Sequence, residues 1–452
     1  MKRATLWGLL AAGVLLTSTE AQAQDQFWLN DSRLSGGRGV QRDRLRYSGS
    51  LAASFGYDSN PFLRANTATE QRADAFRLMI TPAFQIETRN IPGAARAPYS
   101  LTASASVSYI EFIKGPTTSD RVTDDLSGHR NLAVNGTLRL RIAPGARWSG
   151  DLYGGVVRSI QPSNLGDPDA TFNRTTPTAG AGVTWSPGGG LFSWRLLGYG
   201  LTYTYFESDR FQRYNSFLHN ISSEATWRFL PRTSLFASSQ LGLIRYTATS
   251  TEQSSGDAVT TRAGINGLLT DRFGFLASVG WATTVFDSRA GAPRQDFDSL
   301  VAQAEVRFYL SAAQKNGDEV VHPTTLAFGY VRDWAQSYIG NYYGRDRGYS
   351  SLSYFFANRV RSMLQFSVAR LGFPATNFDD GTQRNPAFNS VAINTGAFIE
   401  YIPTTHVGIF ANVDYTGQIT DTNLSIDRNN PGLVDALEYK RFTATLGLRY
   451  LL

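Results

Sequence analysis

Residues 131–142 read Asn131-Leu132-Ala133-Val134-Asn135-Gly136-Thr137-Leu138-Arg139-Leu140-Arg141-Ile142. Apolar residues recur at alternate positions. Leu132, Val134, Leu138, Leu140 and Ile142 share one side, and Asn131, Asn135, Thr137, Arg139 and Arg141 share the other. A period of two is that of an extended strand, whose successive side chains point to opposite faces. The make-up of the two faces decides the fold. A soluble sheet is expected to carry more Lys and Glu on its wet face. Here the polar faces are mostly Ser, Thr, Gly and Asn, and the apolar faces carry Leu, Val, Phe, Tyr and Trp.

The same alternation runs outward from this stretch in both directions. Leu45, Tyr47, Leu51, Ala53, Phe55 and Tyr57 oppose Arg46, Ser48, Ser50, Ala52 and Ser54. Phe76, Leu78, Ile80, Phe84 and Ile86 oppose Arg77, Thr81, Gln85 and Glu87. At the end of the chain, Phe442, Ala444, Leu446, Leu448, Tyr450 and Leu452 oppose Arg441, Thr443, Thr445 and Arg449. The reading gives 18 segments: 45–57, 74–89, 99–112, 129–143, 148–158, 174–185, 192–205, 215–229, 234–246, 258–269, 273–285, 298–310, 324–333, 346–356, 360–370, 388–401, 406–416 and 439–451. Those at 148–158, 234–246 and 324–333 alternate less cleanly.

The connections alternate in length. Pro144 to Arg147, Ser186 to Gly190, Leu230 to Thr233, Asp271-Arg272, Ala357 to Arg359 and Ile402 to Thr405 are tight turns. Between them fall longer polar loops at 58–73, 113–128, 159–173, 206–214, 247–257, 286–297, 334–345, 371–387 and 417–438. The connection 311–323 lies on the short side and is longer than this rule allows. Short turns on one side and long loops on the other are the topology of an outer-membrane barrel. Trp148, Trp185, Trp194, Trp227 and Phe229 flank short turns, and Tyr57, Tyr205 and Tyr415 flank long loops, as two lipid–water interfaces favour. The expected fold is all-β: a transmembrane antiparallel up-and-down β-barrel of 18 strands with both termini periplasmic. Such a sheet must close, because lipid cannot satisfy the N–H and C=O groups of a strand edge. A ring of this size leaves an aqueous channel.

Composition agrees. Hydrophobic residues make up 42% of the 452, yet mean hydropathy is −0.24. There is no Cys, which excludes a disulfide framework and thiolate metal sites. The net charge of +6 is spread without a Lys/Arg block, and only Lys2, Lys114, Lys315 and Lys440 are lysines, so no nucleic-acid partner is expected. Lys2 and Arg3, an apolar run from Leu6 to Leu16, and Ala21-Gln22-Ala23 read as a secretory signal cleaved after Ala23. The chain thus divides into residues 1–23 (signal peptide), 24–44 (short periplasmic segment) and 45–452 (barrel). Residues 24–44 are too few for the globular plug of a TonB-dependent receptor. No later run of about 18 apolar residues exists to make a transmembrane helix.

No enzyme signature is found. His129, His219, His322 and His406 form no HExxH, no GxSxG elbow occurs, and Gly180-Ala181-Gly182 lacks the third glycine of a dinucleotide loop. No cofactor or metal is expected. Function falls to the polar faces. Alternation turns Arg46, Arg77, Arg139, Arg141, Arg228, Arg262, Arg307, Arg361, Arg441 and Arg449 inward, against fewer acids: Glu87, Asp151, Glu224, Glu305, Glu400 and Asp414. Excess guanidinium in a lumen favours anions. The competing reading is that arginines and acids pair and brace the wall. Inward Tyr153, Tyr309, Phe398 and Phe410 are either sugar-stacking surfaces or space filling. Loop clusters Asp124-Asp125, Asp167 to Asp169 and Asp379-Asp380 are either solvated charge or sites for divalent cations shared with lipopolysaccharide.

Phe55-Gly56-Tyr57-Asp58-Ser59-Asn60-Pro61, closing the first strand, resembles the start of the β-barrel porins of the second type, an outer-membrane β-barrel family. The Leu446-Gly447-Leu448-Arg449-Tyr450 ending is similar to theirs as well, although the chain ends in Leu451-Leu452 and not in Phe. The resemblance implies a passage for secreted exopolysaccharide in a Wzx/Wzy-type route, beside a polysaccharide co-polymerase and a periplasmic export protein. Residues alone leave two alternatives: a general or anion-preferring diffusion porin, and a non-conducting scaffold or adhesion barrel. Lipid and lipopolysaccharide are the partners common to all three.

Overall fold

Each half-greasy segment becomes a strand, and the strands close on themselves. In a computed structural model they are β1 (Leu45–Asp58), β2 (Ala75–Thr88), β3 (Tyr99–Lys114), β4 (Asn131–Ile142), β5 (Trp148–Ser159), β6 (Arg174–Trp185), β7 (Phe192–Phe206), β8 (Ser216–Leu230) and β9 (Thr233–Tyr246). There follow β10 (Gly256–Thr270), β11 (Phe273–Phe286), β12 (Asp298–Tyr309), β13 (Thr325–Gln336), β14 (Tyr342–Phe356), β15 (Val360–Phe373), β16 (Phe388–Tyr401), β17 (Val407–Ile419) and β18 (Tyr439–Leu451). The structure describes residues 40–42, 44–63, 74–88, 97–116, 131–160, 173–248, 254–287, 296–311, 314–316, 319–321, 324–337, 341–356, 359–377, 383–420, 423–425, 434–436 and 438–452. The proposed signal peptide, His129, His322 and the three acidic loop clusters lie outside these residues.

Every strand pairs antiparallel with the next, and β18 pairs back onto β1, with Ser50 opposite Leu451 and Asp58 opposite Thr443. The result is a closed 18-stranded barrel. Val40–Arg42 folds back as a short strand on Leu45–Tyr47, below the point where β18 ends. The long connection on the short-turn side contains its own hairpin, Gln314–Asn316 against Glu319–Val321, which accounts for its length. One expected loop is corrected. β13 runs to Gln336 and β14 begins at Tyr342, so 334–345 is mostly strand and only 337–341 connects the two. Gly, Asn and Arg in that stretch mask a ladder that the fold supplies.

The outward face is apolar. Leu51, Phe55, Phe84, Leu138, Leu152, Leu364, Phe366, Leu446 and Leu448 are each about half exposed or more. Aromatic pairs ring the short-turn rim: Trp148 with Trp185 (centroids 6.2 Å apart), Trp227 with Phe229 (6.0 Å) and Phe273 with Phe308 (5.2 Å). Tyr57 with Phe76 (5.8 Å) and Tyr203 with Phe217 (4.4 Å) mark the loop rim. Outward-facing charge in the described strands sits toward the loop end. There Arg158 grips Glu207 (Nε to Oε1 2.6 Å, Nη2 to Oε2 2.8 Å) and Arg245 meets Asp257 at 2.7 Å. An apolar band between two aromatic girdles is the outer surface of a membrane barrel.

At the loop rim, connections fold onto the inner face. Phe62 packs on Ala75 and Phe112. The 3₁₀ turn Asp209–Tyr214 lays Phe211 and Tyr214 against Phe206, with centroids 6.3 and 6.2 Å away. Phe373 stacks on Phe388 at 4.6 Å, beside Tyr343. These contacts bury apolar residues that would otherwise face water.

Candidate functional site: the inner wall

Cross-strand register settles which residues face inward, because partners across a ladder share a face. Following the ladders from β1 to β18, all fifteen candidates fall on the inner face: Arg46, Arg77, Glu87, Arg139, Arg141, Asp151, Glu224, Arg228, Arg262, Glu305, Arg307, Arg361, Asp414, Arg441 and Arg449. Period-two reading misses others, among them Asp58, which falls in the expected loop 58–73 and faces inward opposite Ala75. Arg195 faces inward because a bulge between Arg195 and Gly198 shifts the phase of β7. The sign of that bulge is a double apolar step, Leu196-Leu197. Trp194 Nε1 donates to Ser223 Oγ (3.0 Å), which donates to the bulge carbonyl of Arg195 (3.2 Å). Arg345 falls in the expected loop 334–345, and Asp333 and Arg347 lie in the expected strands on either side of it; all three face inward on β13 and β14.

Many of these charges are braces. Arg449 and Glu400, both almost fully buried, bond across β17, with Arg449 Nε donating to Glu400 Oε1 at 2.9 Å. Arg345 grips Asp333 through two bonds of 2.8 and 2.7 Å. Arg441 donates to both oxygens of Asp58 (3.0 and 2.6 Å), and Arg77 approaches the same carboxylate at 3.8 Å. Arg46 meets Glu87 at 3.3 Å, and Arg307 bonds Glu305. Arg361 stands across from Glu400 in register, with its guanidinium 5.4 Å from the Phe355 ring centre. Asp414 accepts from Asn412. Two-point arginine–carboxylate contacts are the strong and geometrically specific ones.

The long side chains lie along the wall, and inner-face glycines make this possible. Tyr153 on β5 crosses Gly180 on β6 and donates to the Tyr199 carbonyl on β7 at 3.4 Å. A methyl group on Gly180 would stand 2.2 Å from Tyr153 Cζ. Tyr349 on β14 crosses Gly329 on β13 to bond Glu305 on β12, and a methyl on Gly329 would again lie 2.2 Å from Cζ. Arg195 crosses Gly182 to reach Asp151, and Glu400 crosses Gly408 to reach Arg449. A glycine opposite a large residue thus turns that residue sideways, so it covers three strands and leaves the lumen clear. Phe398 and Phe410 do not offer open stacking faces. They are buried with Ala52 against Met363 and fill space. His219 takes no part in the inner wall: it faces outward and pairs with Tyr199 Oη at 2.8 Å. His406 serves a turn, where its Nδ1 lies 3.0 Å from the Leu451 carbonyl oxygen.

Gly329→Val tests this wall. The Tyr349 ring is expected to be displaced into the lumen and lower single-channel conductance, with the folded barrel retained in detergent. Unchanged conductance would mean that the ring is not held out of the water path.

A closed ring of this size with a lipid-facing exterior and a charged interior defines the class: a transmembrane β-barrel of outer-membrane porin architecture. No protein-family model and no curated protein matches the sequence. Solved structures similar to it include Pseudomonas aeruginosa OprD (10% identity over 92% of this chain and 97% of that one, TM-score 0.42). A BenF-like porin from Pseudomonas fluorescens is 11% identical over 92% of this chain and all of that one (100%), with TM-score 0.44. The FrpB iron transporter from Neisseria meningitidis is 9% identical over 95% and 83%, with TM-score 0.45. The ladders above carry the fold by themselves.

Proposed function

We propose that the chain is a non-enzymatic diffusion channel of the bacterial outer membrane that admits small hydrophilic solutes and prefers anions. The observation that carries this reading is the inner wall, where guanidiniums outnumber carboxylates among the described residues. A lumen with net positive potential concentrates anions. Arg46, Arg77, Arg139, Arg141, Arg228, Arg262, Arg307, Arg361, Arg441 and Arg449, with Glu87, Asp151, Glu224, Glu305 and Asp414, are its proposed lining. Residues 1–23 are its export signal, removed after Ala23.

Planar-bilayer recording tests the reading. Wild-type channels in a KCl gradient are expected to give a reversal potential on the anion-selective side. Replacing Arg139 and Arg141 together by Glu is expected to move it toward cation selectivity. A silent bilayer would point to a scaffold barrel, and an unmoved reversal potential would place both arginines off the conduction path.

The resemblance at Gly56 to Pro61 supports a second reading, a passage for secreted exopolysaccharide that works with a co-polymerase and a periplasmic export protein. Its test is deletion of the gene: loss of surface polysaccharide supports it, and normal polysaccharide with reduced uptake of small anions leaves the diffusion channel.

A further inference from the structure

We infer that the wall formed by β4 to β8 holds a docking station for carboxylate-bearing solutes, built around Asp151 as an internal stand-in for the solute; this rests on the diffusion-channel reading. Asp151 is the hub. Its carboxylate lies 3.7 Å from Arg139 Nη2 and 3.2 Å from Arg195 Nη2. Arg141 is its direct cross-strand partner and enters no ion pair among the described residues. Two guanidiniums therefore share one carboxylate, and a third stands beside it in register. Glu224 stands opposite Arg195 in register without closing an ion pair with it among the described residues.

The geometry differs from that of the braces. Arg345 with Asp333 and Arg441 with Asp58 make two-point bonds of 3.0 Å or less between side chains that are at most one-fifth exposed. At Asp151 the contacts are single and longer, and the Arg139 and Arg195 side chains remain about 30% exposed (31% and 30%). A guanidinium has five N–H donors, and one loose contact leaves most of them unspent. Glycines also let these side chains lie low on the wall. Gly180, Gly182, Gly198 and Gly200 sit side by side on β6 and β7, and Tyr153 and Arg195 lie in the space that they leave. A solute carboxylate reaching this wall from the lumen meets the part-exposed guanidiniums of Arg139 and Arg195, which Asp151 engages through single contacts, and it can exchange with Asp151 without breaking a two-point brace.

The probe is glucuronate, with glucose as the uncharged control, added to single channels in planar bilayers. Glucuronate is expected to block the wild-type current and glucose to leave it unchanged. Asp151→Asn removes the internal competitor and is expected to lower the half-blocking concentration of glucuronate by roughly fivefold, the effect of one charge at contact distance in water. Arg141→Gln touches no brace, so it reports even if Asp151→Asn fails to assemble, and it is expected to raise that concentration. Wild-type channels that conduct but are not blocked by glucuronate, or block that neither variant shifts, would overturn the station and leave the channel standing. A barrel that conducts nothing would overturn the channel reading itself, and the station with it.

Discussion

Asp58→Ala is expected to loosen the seam of the barrel and cost about 3–5 kcal/mol, the usual penalty for removing one partner of a buried ion pair. Asp58 is fully buried between two arginines, Arg441 of the last strand and Arg77 of the second. Its removal takes from both guanidiniums the carboxylate that they share. The surrounding motif works at the same junction. The Asn60 backbone N–H donates to Asp58 Oδ1 (3.1 Å), and Asn60 Nδ2 donates to the Lys440 carbonyl (3.1 Å). Ser59 N–H donates to the Phe442 carbonyl (2.9 Å), and Phe442 N–H returns a bond to Ser59 Oγ (2.8 Å). Gly56 leaves no room for a side chain, because a methyl there would lie 2.5 Å from the Ala444 carbonyl oxygen. The stretch from Gly56 to Asn60 is thus a clasp between first and last strands. It strengthens a ladder that reaches only from Ser50 to Asp58, whereas β1 and β2 pair from Leu45 to Asp58. Urea unfolding in detergent and the fraction of unboiled protein migrating as folded barrel on SDS gels measure the loss. A double-mutant cycle with Arg441→Ala should be strongly non-additive. An unchanged urea midpoint for Asp58→Ala would remove the clasp.

Leu138→Arg is expected to cost about 2–4 kcal/mol and to deplete assembled barrel, because a cation at mid-bilayer on the lipid face has no partner. Leu138 is 51% exposed in the middle of β4, between inward Thr137 and Arg139. Thr137→Arg, one residue away on the wet face, is the control and should assemble as wild type does. If Leu138→Arg assembles normally and Thr137→Arg does not, the two faces are reversed. The comparison isolates the solvent that each face meets, because both changes add the same side chain to the same strand.

Much of the site was legible in the sequence, and the exceptions share one cause. Alternation gave the face of Arg139, Arg141 and Glu305 because their strands are regular. It failed at Arg195, where a bulge inserts a residue and every later side chain changes sides. It failed at Arg345 because the Gly, Asn and Arg around it imitate a loop, and the strands that carry Asp333 and Arg347 were therefore cut short beside it. A bonded ladder tolerates such residues when they face water or pair across strands. Nothing in the order of residues showed that Tyr153 and Tyr349 lie flat, since that depends on Gly180 and Gly329 standing opposite them on neighbouring strands.

The sequence by itself determined the strand number, the greasy and wet faces, and the alternation of short and long connections. These follow from side-chain periodicity and from the requirement that no backbone group be left unpaired in lipid. Only the tertiary structure decided how the inward charges divide into tight braces and loosely held groups. That division depends on register between strands far apart in the chain, and a period of two carries no information about register.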